Sequence, residues 1–165
     1  MHPSTIRQRI TTFLWFDTQA QEAAKFYVSI FPNSAIKTTT RNTGATPAPA
    51  GSVLSVTFEL DGQEFVALNG GPMFKFTEAI SLMVNCTTQE EVDRYYSILL
   101  AGGGQESQCG WLKDKFGLSW QITPVSLMRM IADTDPQRVD RVMREMMTMK
   151  KLDIAKLEAA YRREP

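Results

Sequence analysis

The chain has 165 residues and equal numbers of basic and acidic side chains, 18 of each, so bulk charge gives no case for nucleic acid or an anionic membrane as partner. An apolar fraction of 43% and a charged fraction of 22% are those of an ordinary globular domain. No apolar run approaches the roughly 20 residues of a membrane helix.

The opening, Met1-His2-Pro3-Ser4-Thr5-Ile6-Arg7, lacks the apolar stretch of a secretory signal. Cys86 and Cys109 match no metal or redox spacing. Two reduced thiols in a cytoplasmic protein are therefore expected.

Residues 1–9 are polar and expected to be loose. Residues 10–16 are rich in β-formers and predict a strand, after which Asp17 and Thr18 are candidate helix caps. Ala23, Phe26, Tyr27, Ile30 and Phe31 recur at helical spacing and give that helix one apolar face. Pro32-Asn33-Ser34 ends it. Residues 35–42 are β-prone, and 43–52, with two prolines and two glycines, form a loop. Residues 53–60 are the clearest strand. Asp61-Gly62 is a two-residue hairpin turn, and 64–68 return.

Asn69-Gly70-Gly71-Pro72-Met73-Phe74-Lys75-Phe76 joins two halves. Residues 80–84 read as a strand, and Thr87-Thr88-Gln89-Glu90 as a capping box for a helix whose apolar face is Val92, Tyr95, Tyr96 and Leu99. The glycine run 102–104 follows a helix rather than a strand, so it is a helix stop and not a phosphate cradle. A short strand over 107–113 around Cys109 and Trp111, a turn at Lys115-Phe116-Gly117 and a strand over 118–123 complete the second half. The remainder is helical: 125–131, then a helix opened by Asp135-Pro136 to about 150, then a short one capped by Asp153.

The halves echo one another. The shift that lays Leu14 on Leu82 also lays Gln21 on Gln89, Glu22 on Glu90, Tyr27 on Tyr95, Ser29 on Ser97 and Ile30 on Ile98. A fixed internal period is an architectural signal. It predicts an α+β fold in which two β-α-β-β-β modules, about 8–70 and 78–124, form a cupped mixed sheet in one domain, with a helical extension over 125–165.

Phe13-Leu14-Trp15-Phe16-Asp17, Phe26-Tyr27, Ile30-Phe31-Pro32-Asn33-Ser34, Asn69-Gly70-Gly71-Pro72, Val84-Asn85-Cys86 and the run from Cys109 to Gln121 resemble the PhnB-like, demethylubiquinone-methyltransferase-like branch of the vicinal oxygen chelate superfamily. That superfamily includes glyoxalases, ring-cleaving dioxygenases and bleomycin-binding proteins. The resemblance implies a divalent metal held by His and Glu from both modules, with open positions for two substrate oxygens. Carried across, the ligand positions fall on Thr12, Val66, Ile80 and Gln121. None is His, Glu, Asp or Cys, and the position after Gly-Gly-Pro, His in many relatives, is Met73. A methyltransferase would need a site for S-adenosylmethionine, usually a glycine-rich turn after a first strand; no glycine lies between Phe16 and Gln21.

Trp15, Phe65, Asn69, Met73, Phe74, Cys109, Trp111, Trp120 and Gln121 are the candidate ligand-binding residues, a mostly apolar lining with a few polar groups. No nucleophile–base pair can be named. Asp114 is a turn-former rather than a base. The expected function is cofactor-free and metal-free binding of a small, partly apolar molecule. The alternatives are a glyoxalase- or dioxygenase-type metalloenzyme with a shifted site, and a purely structural protein. Whether modules pair within one chain or between two is open. Val139, Val142, Met143, Met146 and Met147 form an apolar stripe, extended by Leu152, Ile154 and Leu157, which predicts a homodimer.

Overall fold

The computed structural model describes residues 8–162. His2 and most of the polar opening lie outside the described residues. The chain divides into two compact units, Met1–Lys75 and Phe76–Pro165.

The first unit runs β1 (Thr12–Phe16), α1 (Ala20–Ile30), β2 (Ala35–Arg41), β3 (Val53–Leu60) and β4 (Gln63–Asn69). Its sheet has the order β1-β4-β3-β2, with β1 parallel to β4 and the other pairs antiparallel. The β3–β4 hairpin turns through Asp61 and Gly62, both at positive φ (45° and 82°). That backbone twist matches the flanking strands, which is why Asp-Gly marks such turns. One face of the sheet is covered by α1. Tyr27 stacks on Phe58 at 6.2 Å and Phe58 on Phe65 at 5.6 Å; with Leu14, Phe16, Val56 and Ala67 they are buried. Each large side chain so buried contributes about 1.5–3 kcal/mol.

Neither Asp17 nor Thr18 caps α1. The N-cap position is Gln19, which makes no side-chain cap bond. The carboxamide oxygen of Asn69, at the far end of β4, accepts the Ala20 N–H at 2.8 Å. The free N–H groups of a helix start donate to any correctly placed oxygen, and here the acceptor comes from 49 residues away.

The second unit repeats the plan with β5 (Ser81–Cys86), α2 (Gln89–Leu100), β6 (Gln105–Glu106), β7 (Trp111–Lys113) and β8 (Ser119–Pro124). The sheet order is β5-β8-β7-β6, again with the first strand parallel to the last. Of the strand predicted over 107–113 only Trp111–Lys113 is strand, and β6, at 105–106, precedes the predicted range. Cys109 and Gly110 sit between them at φ 59° and 83°, a conformation no strand residue adopts. The capping box lies one residue later than expected. Thr88 accepts from the Glu91 N–H, and the Glu91 carboxylate reaches back to the N–H and hydroxyl of Thr87.

Three helices follow: α3 (Val125–Ile131), α4 (Pro136–Met147) and α5 (Ile154–Arg162). Asp135 caps α4 through the Gln137 N–H, with Pro136 at the first turn, and Asp153 accepts from the Lys156 N–H. Leu127, Met130, Val142, Met149, Leu152 and Leu157 form a core among them, with Ile131, Met146 and Tyr161 against it. The apolar stripe of α4 is thus divided. Val142 is fully buried, whereas Met143 and Met147 remain 38% and 62% exposed.

Candidate functional site

Side chains alternate across a strand, and register partners share a face. In the first unit Phe65 pairs with Thr12 and Phe58, on the α1 face. Phe13 pairs with Val66, and Trp15 with Leu68, on the open face. Thr12 and Val66 therefore point to opposite sides of one sheet and cannot share a ligand. In the second unit Leu82 pairs with Trp120 on the α2 face, while Ser81 pairs with Ser119 and Met83 with Gln121 on the open face. Ile80 has the parity of Leu82. The open-face positions are Phe13, Val66, Ser81 and Gln121, one residue later than expected on each first strand. In the first unit Phe13 and Val66 offer no donor, and in the second Ser81 and Gln121 offer one hydroxyl and one carboxamide, so neither pair suits a divalent ion. Among the described residues no three His, Cys, Asp or Glu side chains come together as a metal site.

Of the candidate residues, the structure brings Trp15 and Phe74 together, with Met73 beside Phe74 in the chain. The Trp15 indole N–H donates to the Gly71 carbonyl at 2.9 Å, and its ring meets Phe74 edge-on at 5.0 Å. Gly70 and Gly71 donate to the carbonyls of Phe16 and Asp17, holding the loop against the end of β1. A Cβ at Gly70 would clash with the nearest ring atoms of Trp15, so glycine is required there for space rather than for φ. Phe74 is 58% exposed and Met73 77%.

Phe65 and Trp120 are placed elsewhere. Both are buried on the helix-covered faces, and the Trp120 indole N–H donates to the Asp114 carboxylate at 2.9 Å. The other oxygen of Asp114 accepts from Phe116 and Leu118 N–H groups, so this buried carboxylate ties the β7–β8 turn to the core. Asn69 uses its oxygen on α1 and its N–H on the Val53 carbonyl. Cys109 belongs to a joint. Its N–H donates to the Met149 carbonyl (2.8 Å), the next N–H donates to the Lys150 carbonyl (2.6 Å), and the thiol lies 3.6 Å from the Met147 sulfur. Burial raises the Cys109 pKa and lifts Cys86 to about 11, the latter helped by the Glu91 charge. Neither is an activated thiolate.

On the open face of the second sheet, register sets out two rows. One is Ser81, Ser119, Lys113 and Gln105; the other is Met83, Gln121 and Trp111. Gln121 donates to the Ser81 hydroxyl at 2.8 Å. Lys113 pairs with Glu78, holding that carboxyl below its usual pKa. Glu78, Gln105, Glu106, Ser107, Trp111, Leu112, Lys113 and Ser119 line a pocket of about 130 Å³. The Ser119 hydroxyl is buried there without a hydrogen-bond partner. Ser81, Lys113 and Ser119 were not legible as site residues, because an isolated serine or lysine carries no signal until register aligns it with neighbours. A larger pocket, about 460 Å³, opens between the start of α2 and the α4–α5 linker. Several of its polar groups are committed to one another: Lys151 to Asp93 at 2.5 Å, and Gln89 to Asp93, Leu152 and Ile154.

Residues 8–123 match the family described as 3-demethylubiquinone-9 3-methyltransferase; α3 to α5 lie beyond the match. The chain is 40% identical to a solved structure from Bacillus cereus described as a 3-demethylubiquinone-9 3-methyltransferase, PhnB protein. That likeness covers 71% of this chain and 99% of the other at a TM-score of 0.65. It is 18% identical to protein PA1353 from Pseudomonas aeruginosa, over 71% of this chain and 97% of that one at a TM-score of 0.58, a likeness of fold. No curated protein matches. With the β-α-β-β-β repeat and the sheet order already described, the chain belongs to the PhnB-like family, a branch of the vicinal oxygen chelate superfamily.

Proposed function

We propose that this PhnB-like protein binds a small, partly apolar molecule on the open faces of its sheets, and that it does so without a metal. The observation that carries this is the register. The open-face positions that should bear His and Glu hold Phe13, Val66, Ser81 and Gln121. Apolar contact is offered by Trp15, Met73 and Phe74 in the first unit and by Trp111 and Met83 in the second, with Gln121 and the hydroxyls of Ser81 and Ser119 as polar anchors. Apolar surfaces with a few polar groups, taken in each unit by itself, bind by shape and a few hydrogen bonds. The methyltransferase description finds no support in the strand order, since β1-β4-β3-β2 is not the doubly wound sheet that positions a nucleotide cofactor. The free thiols suit a cytoplasmic setting, and no helix among the described residues is long and apolar enough to cross a membrane.

Elemental analysis of protein purified without chelator tests the proposal. Substoichiometric Zn, Mn, Ni and Fe is the expected result. One equivalent of any of them, lost together with ligand binding on chelation, would favour the shifted-site metalloenzyme instead.

We further propose a homodimer that uses the exposed part of the α4 stripe, Met143 and Met147.

A further inference from the structure

We infer that the 130 Å³ pocket beside β7 takes a small neutral polyhydroxyl group, a polyol or the hydroxylated end of a larger ligand, seated against Ser119 and Trp111. A buried hydroxyl without a partner is costly, on the scale of a lost hydrogen bond, unless something enters to satisfy it. Ser119 is 1% exposed, its oxygen is unpartnered, and it lines the pocket. At about 30 Å³ per molecule the volume corresponds to roughly four waters, more than one serine can organise, and comparable to a short chain of carbons each bearing a hydroxyl.

The charges decide the class. Lys113 is engaged by Glu78, and Glu106 by Lys150 at 3.3 Å. An anion would have to displace Glu78 and then face Glu106, while a cation would have to displace a lysine. A neutral hydroxylated group disturbs neither pair. It reproduces the hydrogen bonds of the waters it displaces, and its C–H face can lie on the Trp111 ring.

This narrows the binding function proposed above to one corner of the second sheet. The two fail separately, since metal content does not bear on Ser119 and this titration does not bear on metal.

The test is a titration of the full-length 15N-labelled chain with glycerol, acetate and methylammonium, followed by amide and indole N–H shifts. Glycerol is expected to give saturable shifts at Ser119, Lys113 and Trp111, with a Kd on the order of millimolar for so few atoms. The two ions should bind at least about tenfold more weakly. Ser119→Ala is expected to weaken glycerol about tenfold, the worth of one hydrogen bond, while its Tm is unchanged or higher, because it removes an unsatisfied hydroxyl. Acetate or methylammonium saturating as well as glycerol would overturn the inference. So would an absence of saturable shifts in the wild-type chain, or a Ser119→Ala protein that is less stable yet binds glycerol as before. The comparison of the three probes needs no variant to fold.

Discussion

Gly70 and Asp114 show how single residues settle local structure here. Gly70 lies against the Trp15 ring with no room for a methyl group, whereas a Cβ on Gly71 meets nothing within 4 Å and faces only the cost of φ +87°. Gly70→Ala should therefore destabilise the protein by several kcal/mol, in the range of overpacking with displacement of a large side chain, and Gly71→Ala by about 1–2 kcal/mol. Chemical denaturation of the pair checks the difference; equal losses would mean that the Trp15 contact is not the constraint. Asp114→Ala removes a buried acceptor of three hydrogen bonds, two from backbone N–H groups and one from Trp120. A loss on the order of 3–5 kcal/mol is expected, together with a change in Trp120 near-ultraviolet dichroism. Cys86 adds a pH dependence. Its folded pKa, about 11, is above the ordinary 9.0 because the thiolate is disfavoured by burial. Between those values the unfolded chain has released a proton that the folded chain retains, so stability falls as pH rises through that window. Unfolding free energy measured at pH 8 and pH 10.5 should decline, and Cys86→Ala should make the decline shallower.

Among the elements, both first helices needed a start that sequence could not fully locate. The Thr88–Glu91 box is local and was found within one residue. The cap of α1 was missed because its acceptor, Asn69, is 49 residues away from Ala20, and proximity of that kind has no trace in a linear pattern. Asn69→Ala should cost about 1–2 kcal/mol by uncapping α1 and freeing the Val53 carbonyl, and hydrogen exchange should quicken first at Ala20 to Ala23. Helices, the Asp61-Gly62 hairpin and the strand over 53–60 were legible because each carries its period or turn chemistry within a few residues. Face assignment was not. Phe65 and Trp120 look like pocket aromatics in sequence, yet register turns both toward helices, and a one-residue slip on β1 and β5 displaced Thr12 and Ile80 from the positions that Phe13 and Ser81 occupy. Alternation gives two faces but does not say which is covered.

For the whole molecule, the helical extension is the part that family resemblance explains least, since the match ends at residue 123. It does not spend its apolar stripe on one partner. Val142 and Met146 serve the α3–α4–α5 core, leaving Met143 and Met147 outward. If these two side chains hold a second copy, the double variant Met143→Glu, Met147→Glu should sediment as a monomer at tens of micromolar with a Tm close to that of wild type at matched low concentration. A wild-type protein that is itself monomeric under those conditions would remove the dimer, and a double variant that unfolds would show that the two methionines belong to the core after all.

The Cys109–Gly110 joint has a consequence for the protein's birth. Every strand of the first unit is encoded before residue 70, so that sheet can close while the chain is still being made. The second cannot. The turn that brings β6 against β7 is held by the carbonyls of Met149 and Lys150, and a Cβ at Gly110 would crowd both Ile122 and Leu152. Its scaffold therefore arrives only when residues 149 to 152 have been translated. At about 5–20 residues per second, the stretch from Lys75 to Leu152 occupies roughly 4–15 s of synthesis, during which a finished first unit is tethered to an incomplete second. Ribosome-bound chains stalled before residue 149 should resist protease up to about Lys75 and be cut beyond it, and chains extended past Leu152 should become resistant in the second unit as well.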